Sequence, residues 1–300
     1  RERAYHGVNF GGVALSGMVN NRRAFGNSLP SAVHMRHTHI PENKFVMGEG
    51  DHGLDLAEDL TRIINNYGGE NIAAVFVEPI AGSTGTLVPP KGYLKRLREL
   101  CTQHGILLVF DEVITGFGRL GVPFGADLYG VVPDMLNFAK CVTNGVIPLG
   151  GVVCRDFIYD AMMSAHTPDH VIEFFHGYTY SGHPVACAAA IATLNLYAQE
   201  KLFERADQMG RVLGDAMHSA MRGLPNVVGI RSLGLAAVVE LAPLPGAPGK
   251  RAYDIFIDCF HKGSLVRPAG DNLVLAPPYI VEKSHIEQLI ATLSESIKKH

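Results

Sequence analysis

Apolar and polar positions are ordered differently in different parts of the chain, and each pattern predicts a different kind of element. Through the first two thirds, short unbroken apolar runs alternate with amphipathic stretches. IAAVFVEP (72–79), ILLVFDEV (106–113), DMLNFAK (134–140) and GGVVC (150–154) are too short for ordinary helices and rich in branched residues, so they read as buried strands. YLKRLRELCTQHG (93–105) sets Leu94, Leu97 and Leu100 at helical spacing and ends on Gly105, a stop signal. Apolar strands joined by helices of this length predict right-handed crossovers and a mostly parallel sheet.

From about Pro184 the texture changes. VACAAAIATLNLYAQE (185–200) is alanine-rich and helical, and the stretch 184–197 reads as a tightly packed core helix. KLFERADQMGRVLGDAMHSAMRGL (201–224) is a longer amphipathic helix. Then follow VVGIRSLG, LAAVVELAP, the turn-rich PLPGAPGK, a helix around AYDIFIDCFHKG, the short runs SLVRPAG and NLVLAPP, and a final helix over 282–299. This order predicts an α/β architecture with a large domain over 1–205 and a smaller α+β domain over 206–300.

Composition narrows the function. A chain of 300 residues with 47% hydrophobic and 18% charged content can bury a large core. The formal charge of −3 and the lack of long basic runs argue against nucleic acid and against an anionic membrane surface as partners. No apolar stretch approaches the ~20 residues of a membrane span. The five cysteines are odd in number and lack CxxC spacing, which predicts reduced thiols and a cytoplasmic protein. His34, His37 and His39 in HMRHTHIP have no carboxylate or cysteine cluster beside them, so no metal site is assigned there. GEGDHG (48–53) is too short and poorly placed for a nucleotide fingerprint.

The candidate chemistry lies at strand ends, where open parallel sheets bind their ligands. Glu78, the pair Asp111 and Glu112, and Lys140 all fall there. An ammonium beside an apolar run is costly to bury unless it is paired or loses its proton. A lysine and an aspartate converging from separate strands fit an ordinary ion pair. They also fit the pairing that holds pyridoxal phosphate, with the lysine as Schiff base and the aspartate on the pyridine nitrogen.

The longer motifs add a resemblance. DEVITGFGRLG (111–121) and FAKCVTNGVIPLGGV (138–152), with YHG (5–7) upstream and HGYTYSGHPVACAAA (176–190) downstream, resemble class III pyridoxal-phosphate aminotransferases in the family's own order. IAAVFVEPIAGSTGTLVPPKGYLKRLREL resembles the omega-amino acid:pyruvate branch, which includes β-alanine:pyruvate aminotransferases. The resemblance implies a fold-type-I α/β protein that moves an amino group from an omega-amino acid or amine donor to pyruvate. It implies pyridoxal 5'-phosphate as cofactor and a homodimer with shared sites. Lys140 matches the Schiff-base lysine that later moves the substrate proton, and Asp111 the partner of the pyridine nitrogen. Val113 matches the side chain on one face of the ring and Tyr5 the aromatic on the other, with His6 beside it in the same motif. Glu78 matches an acid near the pocket that orients its neighbours, and Thr179 a threonine offered to the phosphate of the neighbouring subunit.

Two further positions bear on substrate. Ornithine and 4-aminobutyrate aminotransferases carry a second glutamate paired with an arginine, where this chain has Ser83 and Val274. Arg267 in LVRPAGD instead matches the mobile loop arginine by which omega-transaminases grip a carboxylate. Cys141 follows the lysine where many relatives have glycine or another residue, with little consequence expected for the chemistry. The family's Gly/Ser-rich phosphate loop precedes YHG and is not in this sequence, which opens RERAYHG, so an N-terminal segment is expected to be missing. The alternatives are another class III activity, of the 4-aminobutyrate or aminomutase kind, and an inactive truncated remnant that serves only as a binding chain.

Overall fold

Leu94, Leu97 and Leu100 all lie buried on one face of the helix Tyr93–His104, and Gly105 closes it with a left-handed φ of 66°. A computed structural model describes residues 1–25, 29–164 and 167–300, and its strands are few and short. In chain order they are β1 Phe45–Met47, β2 Ala74–Val77, β3 Leu107–Asp111, β4 Met135–Phe138, β5 Gly151–Cys154, β6 Val227–Leu233, β7 Ala236–Leu241, β8 Arg267–Ala269 and β9 Asn272–Leu275.

One sheet has the order β2-β3-β4-β5. β2, β3 and β4 run parallel, as their uninterrupted apolar sequence predicts, while β5 returns antiparallel, with Phe138 opposite Gly151. The helix Tyr93–His104 crosses between β2 and β3, and its leucines pack with Val77, Leu108 and Phe110 in one core.

The second sheet has the order β1-β6-β7-β9-β8. Here the sequence reading needs an addition. Phe45–Met47 was not among the predicted strands, yet it pairs in parallel with Ile230–Ser232. A three-residue run has too few positions to show alternation, and its partner lies far along the chain. The helices Leu202–Met221, Lys250–His261 and Lys283–Lys299 cover this sheet, burying Leu213, Met217, Ile255 and Leu293.

The stretch expected as a packed core helix is the helix Pro184–Gln199, but only Ala186, Ala190, Thr193 and Tyr197 are buried. Val185, Ile191, Leu194 and Leu196 face solvent, because no further layer of the described chain covers that side.

A buried polar cluster joins the second sheet to loops from the first half. The Arg231 guanidinium, from β6, donates to Glu240 at 2.5 Å, to Asn272 Oδ1 at 3.1 Å and to the Gly85 carbonyl at 3.0 Å. His39 Nε2 approaches the same Glu240 carboxylate at 2.9 Å. Burial pushes the Glu240 pKa up, but His39 and Arg231 outweigh it and bring the carboxyl down to about 2.

Candidate active site

β4 ends at Phe138, and Lys140 begins a single 3-10 turn, Lys140–Val142, instead of closing the strand as DMLNFAK suggested. The chain leaves the sheet where β5 stops pairing with it, and Lys140 takes the left-handed φ of 49°. That conformation is uncommon for a residue with a side chain and persists where the surroundings over-determine it. Among the described residues, the Lys140 ammonium makes no hydrogen bond or ion pair. Lys140 is exposed as a residue, yet the protein packed around its ammonium lowers its pKa; the charges of Asp111 and Glu78 counter this and that of Arg267 adds to it. Lys140 lines a cavity of about 790 Å³ with Thr143, Leu149, Gly150, Tyr180 and Ser181.

Asp111 is the last residue of β3 and lies opposite Asn137 of β4. Its Oδ2 accepts from His6 Nδ1 at 2.7 Å, and its Oδ1 from the Val113 backbone at 3.1 Å. A carboxylate has no proton to give, so the Nδ1–H of His6 must point at Asp111. His6 Nε2 is buried without a partner among the described residues. Of the two ring-face candidates, Val113 is half-buried and Tyr5 donates its backbone N–H to Glu78 Oε1 at 2.9 Å.

Glu78 ties the YHG segment to the following loop, because its other oxygen accepts from the Gly82 N–H at 3.2 Å. Burial raises its pKa, with the Tyr5 N–H and nearby cations opposing. Glu112, also at the strand end, is occupied with structure. It accepts from the Gly125 N–H at 2.8 Å, the Ala126 N–H at 2.7 Å and the Thr115 hydroxyl, so it caps the start of the helix Gly125–Tyr129.

Arg267 departs from the predicted loop. It is the first residue of β8, opposite Val274 of β9, and its Nη1 donates to the Ser83 carbonyl at 3.1 Å. The two positions singled out as a missing charged pair, Ser83 and Val274, thus flank the arginine that was singled out separately. Thr179 is exposed and its side chain hydrogen-bonds nothing among the described residues, although Tyr178 and Tyr180 beside it line the Lys140 cavity. The three histidines of HMRHTHIP face separate partners: His34 the Leu15 and Ser16 carbonyls, His37 the His39 N–H, and His39 Glu240.

Two residues were missed. Tyr197, from the helix Pro184–Gln199, lies 2.5 Å from the Cys141 carbonyl, and Tyr279 donates to the Phe117 carbonyl at 2.8 Å while touching Cys141 Sγ at 3.4 Å. Both stand behind the lysine turn. Neither carries a local signal, because a tyrosine in an apolar run reads simply as core.

The profile of the family described as "Aminotransferase class-III" matches residues 1–297. The chain belongs to the class-III aminotransferases. Among relatives of this class-III chain, the omega-aminotransferase of Caulobacter vibrioides is 51% identical over 98% of this chain and 66% of that protein. The omega-amino acid–pyruvate aminotransferase of Pseudomonas putida is 45% identical over 100% of this chain and 67% of that protein. The chain therefore spans about two thirds of the length of these relatives. An amine transaminase from an uncultivated Pseudomonas species, solved in its PLP-bound form, superposes with a TM-score of 0.89 at 33% identity, covering 99% of this chain and 68% of that one. The fold is accordingly that of the fold-type-I enzymes.

Class-III aminotransferases use pyridoxal phosphate, and the residues present fit its reactive end. An unpartnered amine at Lys140, with a lowered pKa, shares the site with a buried carboxylate at Asp111, whose orientation His6 and the Val113 N–H fix.

Proposed function

We propose that this chain carries the catalytic core of an aminotransferase that moves an amino group from an omega-amino acid or amine donor, such as β-alanine, to pyruvate. The observation that carries the reading is the Lys140 amine, free of partners and close enough to feel the charges of Asp111 and Glu78, in a chain of the class-III family. The names of the omega-amino acid–pyruvate and β-alanine–pyruvate relatives support the substrate class.

Pyridoxal phosphate, when bound, supplies an electron sink for the substrate carbon from which a proton is removed. Lys140 would hold it covalently and, once released, take and return that proton; a lowered pKa favours the neutral amine this requires. Asp111 would accept a hydrogen bond from the protonated pyridine nitrogen, with His6 fixing the carboxylate's orientation. Val113 and Tyr5 would pack the ring faces, and Glu78 would hold the Tyr5 backbone and the Gly82 turn in register. Arg267 would leave the Ser83 carbonyl to take a keto acid's carboxylate through two parallel hydrogen bonds. Ser83 and Val274, lacking charge, disfavour a 4-aminobutyrate-type switch.

A second copy of the chain is the proposed partner, with Thr179 offered to its cofactor phosphate. Exposed Tyr178 and Tyr180, which line the Lys140 cavity, and exposed Phe175 favour this reading. We also propose a division into 1–205 and 206–300, with β1 of the first part completing the sheet of the second. The cytoplasm is the proposed compartment, in keeping with five free cysteines.

Borohydride reduction in the presence of pyridoxal phosphate tests the core of this reading. It should fix the cofactor on Lys140, and Lys140→Ala should abolish fixation. With pyruvate as acceptor, β-alanine and 1-phenylethylamine should each yield alanine. A protein that acquires no fixed cofactor at Lys140 sinks the proposal.

A further inference from the structure

The lysine turn is held from behind by Tyr197, which does not line the Lys140 cavity. Tyr197 is buried in the helix Pro184–Gln199, and its hydroxyl lies 2.5 Å from the Cys141 carbonyl and 3.0 Å from Asn144 Oδ1. One hydroxyl has one proton, so it cannot donate to both oxygens. Turning the Asn144 amide over satisfies the group: Tyr197 donates to Cys141 and accepts from the Asn144 N–H. The Tyr197 ring is fixed in turn by Phe203 at 5.0 Å and Tyr279 at 5.8 Å between ring centroids. The Tyr279 ring is itself covered by the Arg119 guanidinium at 4.9 Å.

The segment so gripped is the strained one. Lys140 and Asn144 both have left-handed φ, 49° and 51°, with Gly145 following at 76°. A side-chain-bearing residue in that region costs energy that neighbouring contacts must offset. The turn's backbone hydrogen bonds are 3.3 Å from Val142 N–H to Ala139, 3.2 Å from Thr143 N–H to Lys140 and 3.4 Å from Asn144 N–H to Cys141, with one shorter bond, 2.7 Å, from the Thr143 hydroxyl to the Ile147 carbonyl. The short bond to Tyr197 grips the residue next to the lysine. We propose that Tyr197 is a positioning residue for Lys140, acting through the Cys141 carbonyl to keep the amine aimed into its cleft. This rests on the reading of Lys140 as the cofactor lysine.

The test is capture of pyridoxal phosphate by the apoprotein, followed by absorbance and by borohydride fixation across pH, in the parent and in Tyr197→Phe. Loss of one neutral hydrogen bond predicts about fivefold slower fixation at neutral pH. The pH midpoint of capture should move upward, because a loosened Lys140 is better solvated and holds its proton longer. Leu213→Ala, fully buried and away from the lysine turn, is the packing control. It should lower the melting temperature and leave the midpoint in place. Where Tyr197→Phe fails to fold, Asn144→Gly, which tolerates the left-handed φ, should shift the midpoint in the same direction by less. A parent-like midpoint and rate in the folded variant overturns the role of Tyr197 while leaving Lys140 as the cofactor lysine. A parent that fixes no cofactor removes both.

Discussion

Two consecutive helices of comparable length have opposite fates. Leu202–Met221 buries Ala206, Leu213, Met217 and Met221 between the second sheet and the helix Lys283–Lys299, and shows charged residues to water. Pro184–Gln199 is the more apolar sequence and buries less of itself, with Ile191 61% exposed beside open Leu194 and Leu196. Other apolar side chains left open are Val152 and Val153 of β5, Phe157, Ile172, Phe174, Phe175, Tyr178 and Tyr180. Apolar content records that a surface is meant to be covered, whereas burial records whether a cover is present. In the first helix, the charged residues set off an apolar stripe that finds its partner within the chain. In Pro184–Gln199 no stripe is separable, and the side facing away from Cys141 has no partner among the described residues.

The largest effect that would sharpen this contrast belongs to the buried side. Arg231 is 2% exposed, and its partner Glu240 depends on it for much of its compensation. Arg231→Ala should destabilise the fold by about 3–5 kcal/mol in urea unfolding, because it strands a partly buried carboxylate. It should also loosen the 82–86 turn, whose Gly85 carbonyl loses a donor, and so raise the KM for pyruvate through Arg267 and Ser83. Next in size, Leu213→Ala, at a fully buried site, should cost about 2–5 kcal/mol by the same measurement.

The reach of the sequence follows the same division. Elements with a strong local period were legible: the leucines of Tyr93–His104, the amphipathic Leu202–Met221 and the unbroken strands β2 and β3. Asp111 and Lys140 were legible as an acid and a lysine at strand ends, and the motifs gave their order. What stayed hidden depends on partners distant in sequence. His6 reaches Asp111 across 105 positions, Arg267 reaches Ser83 across 184, and Tyr197 reaches Cys141 across 56. β1 exists only because β6 pairs with it. The left-handed Lys140 turn was masked by an apolar run that looks like continuing strand.

A smaller effect concerns acid. The Glu240 carboxyl has a folded pKa of about 2 against an ordinary 4.5, so the folded state binds the proton less readily than the unfolded chain. Its contribution to stability is therefore complete above pH 4.5 and is lost as pH falls toward about 2. Glu240→Gln should be less stable than the parent at neutral pH, and the gap should close across that window. A gap of constant size would show that shape, not charge, is what the Arg231 cluster requires.

The smallest expected effect on the fold is also the one that can break the comparison. Ile191→Ala removes an exposed branched side chain from a helix in which alanine is the better former. At micromolar dilution the substitution should change unfolding stability by no more than about 0.5 kcal/mol, as for other surface positions. If a second copy covers this face, the parent's melting temperature should rise with protein concentration, because a partner that binds only the folded chain stabilises it by mass action. The rise should be shallower in Ile191→Ala, and sedimentation should show a weaker dimer. Should the variant instead lose as much stability at dilution as Leu213→Ala does, Ile191 would be buried within a single chain, and the open side of Pro184–Gln199 would be core after all.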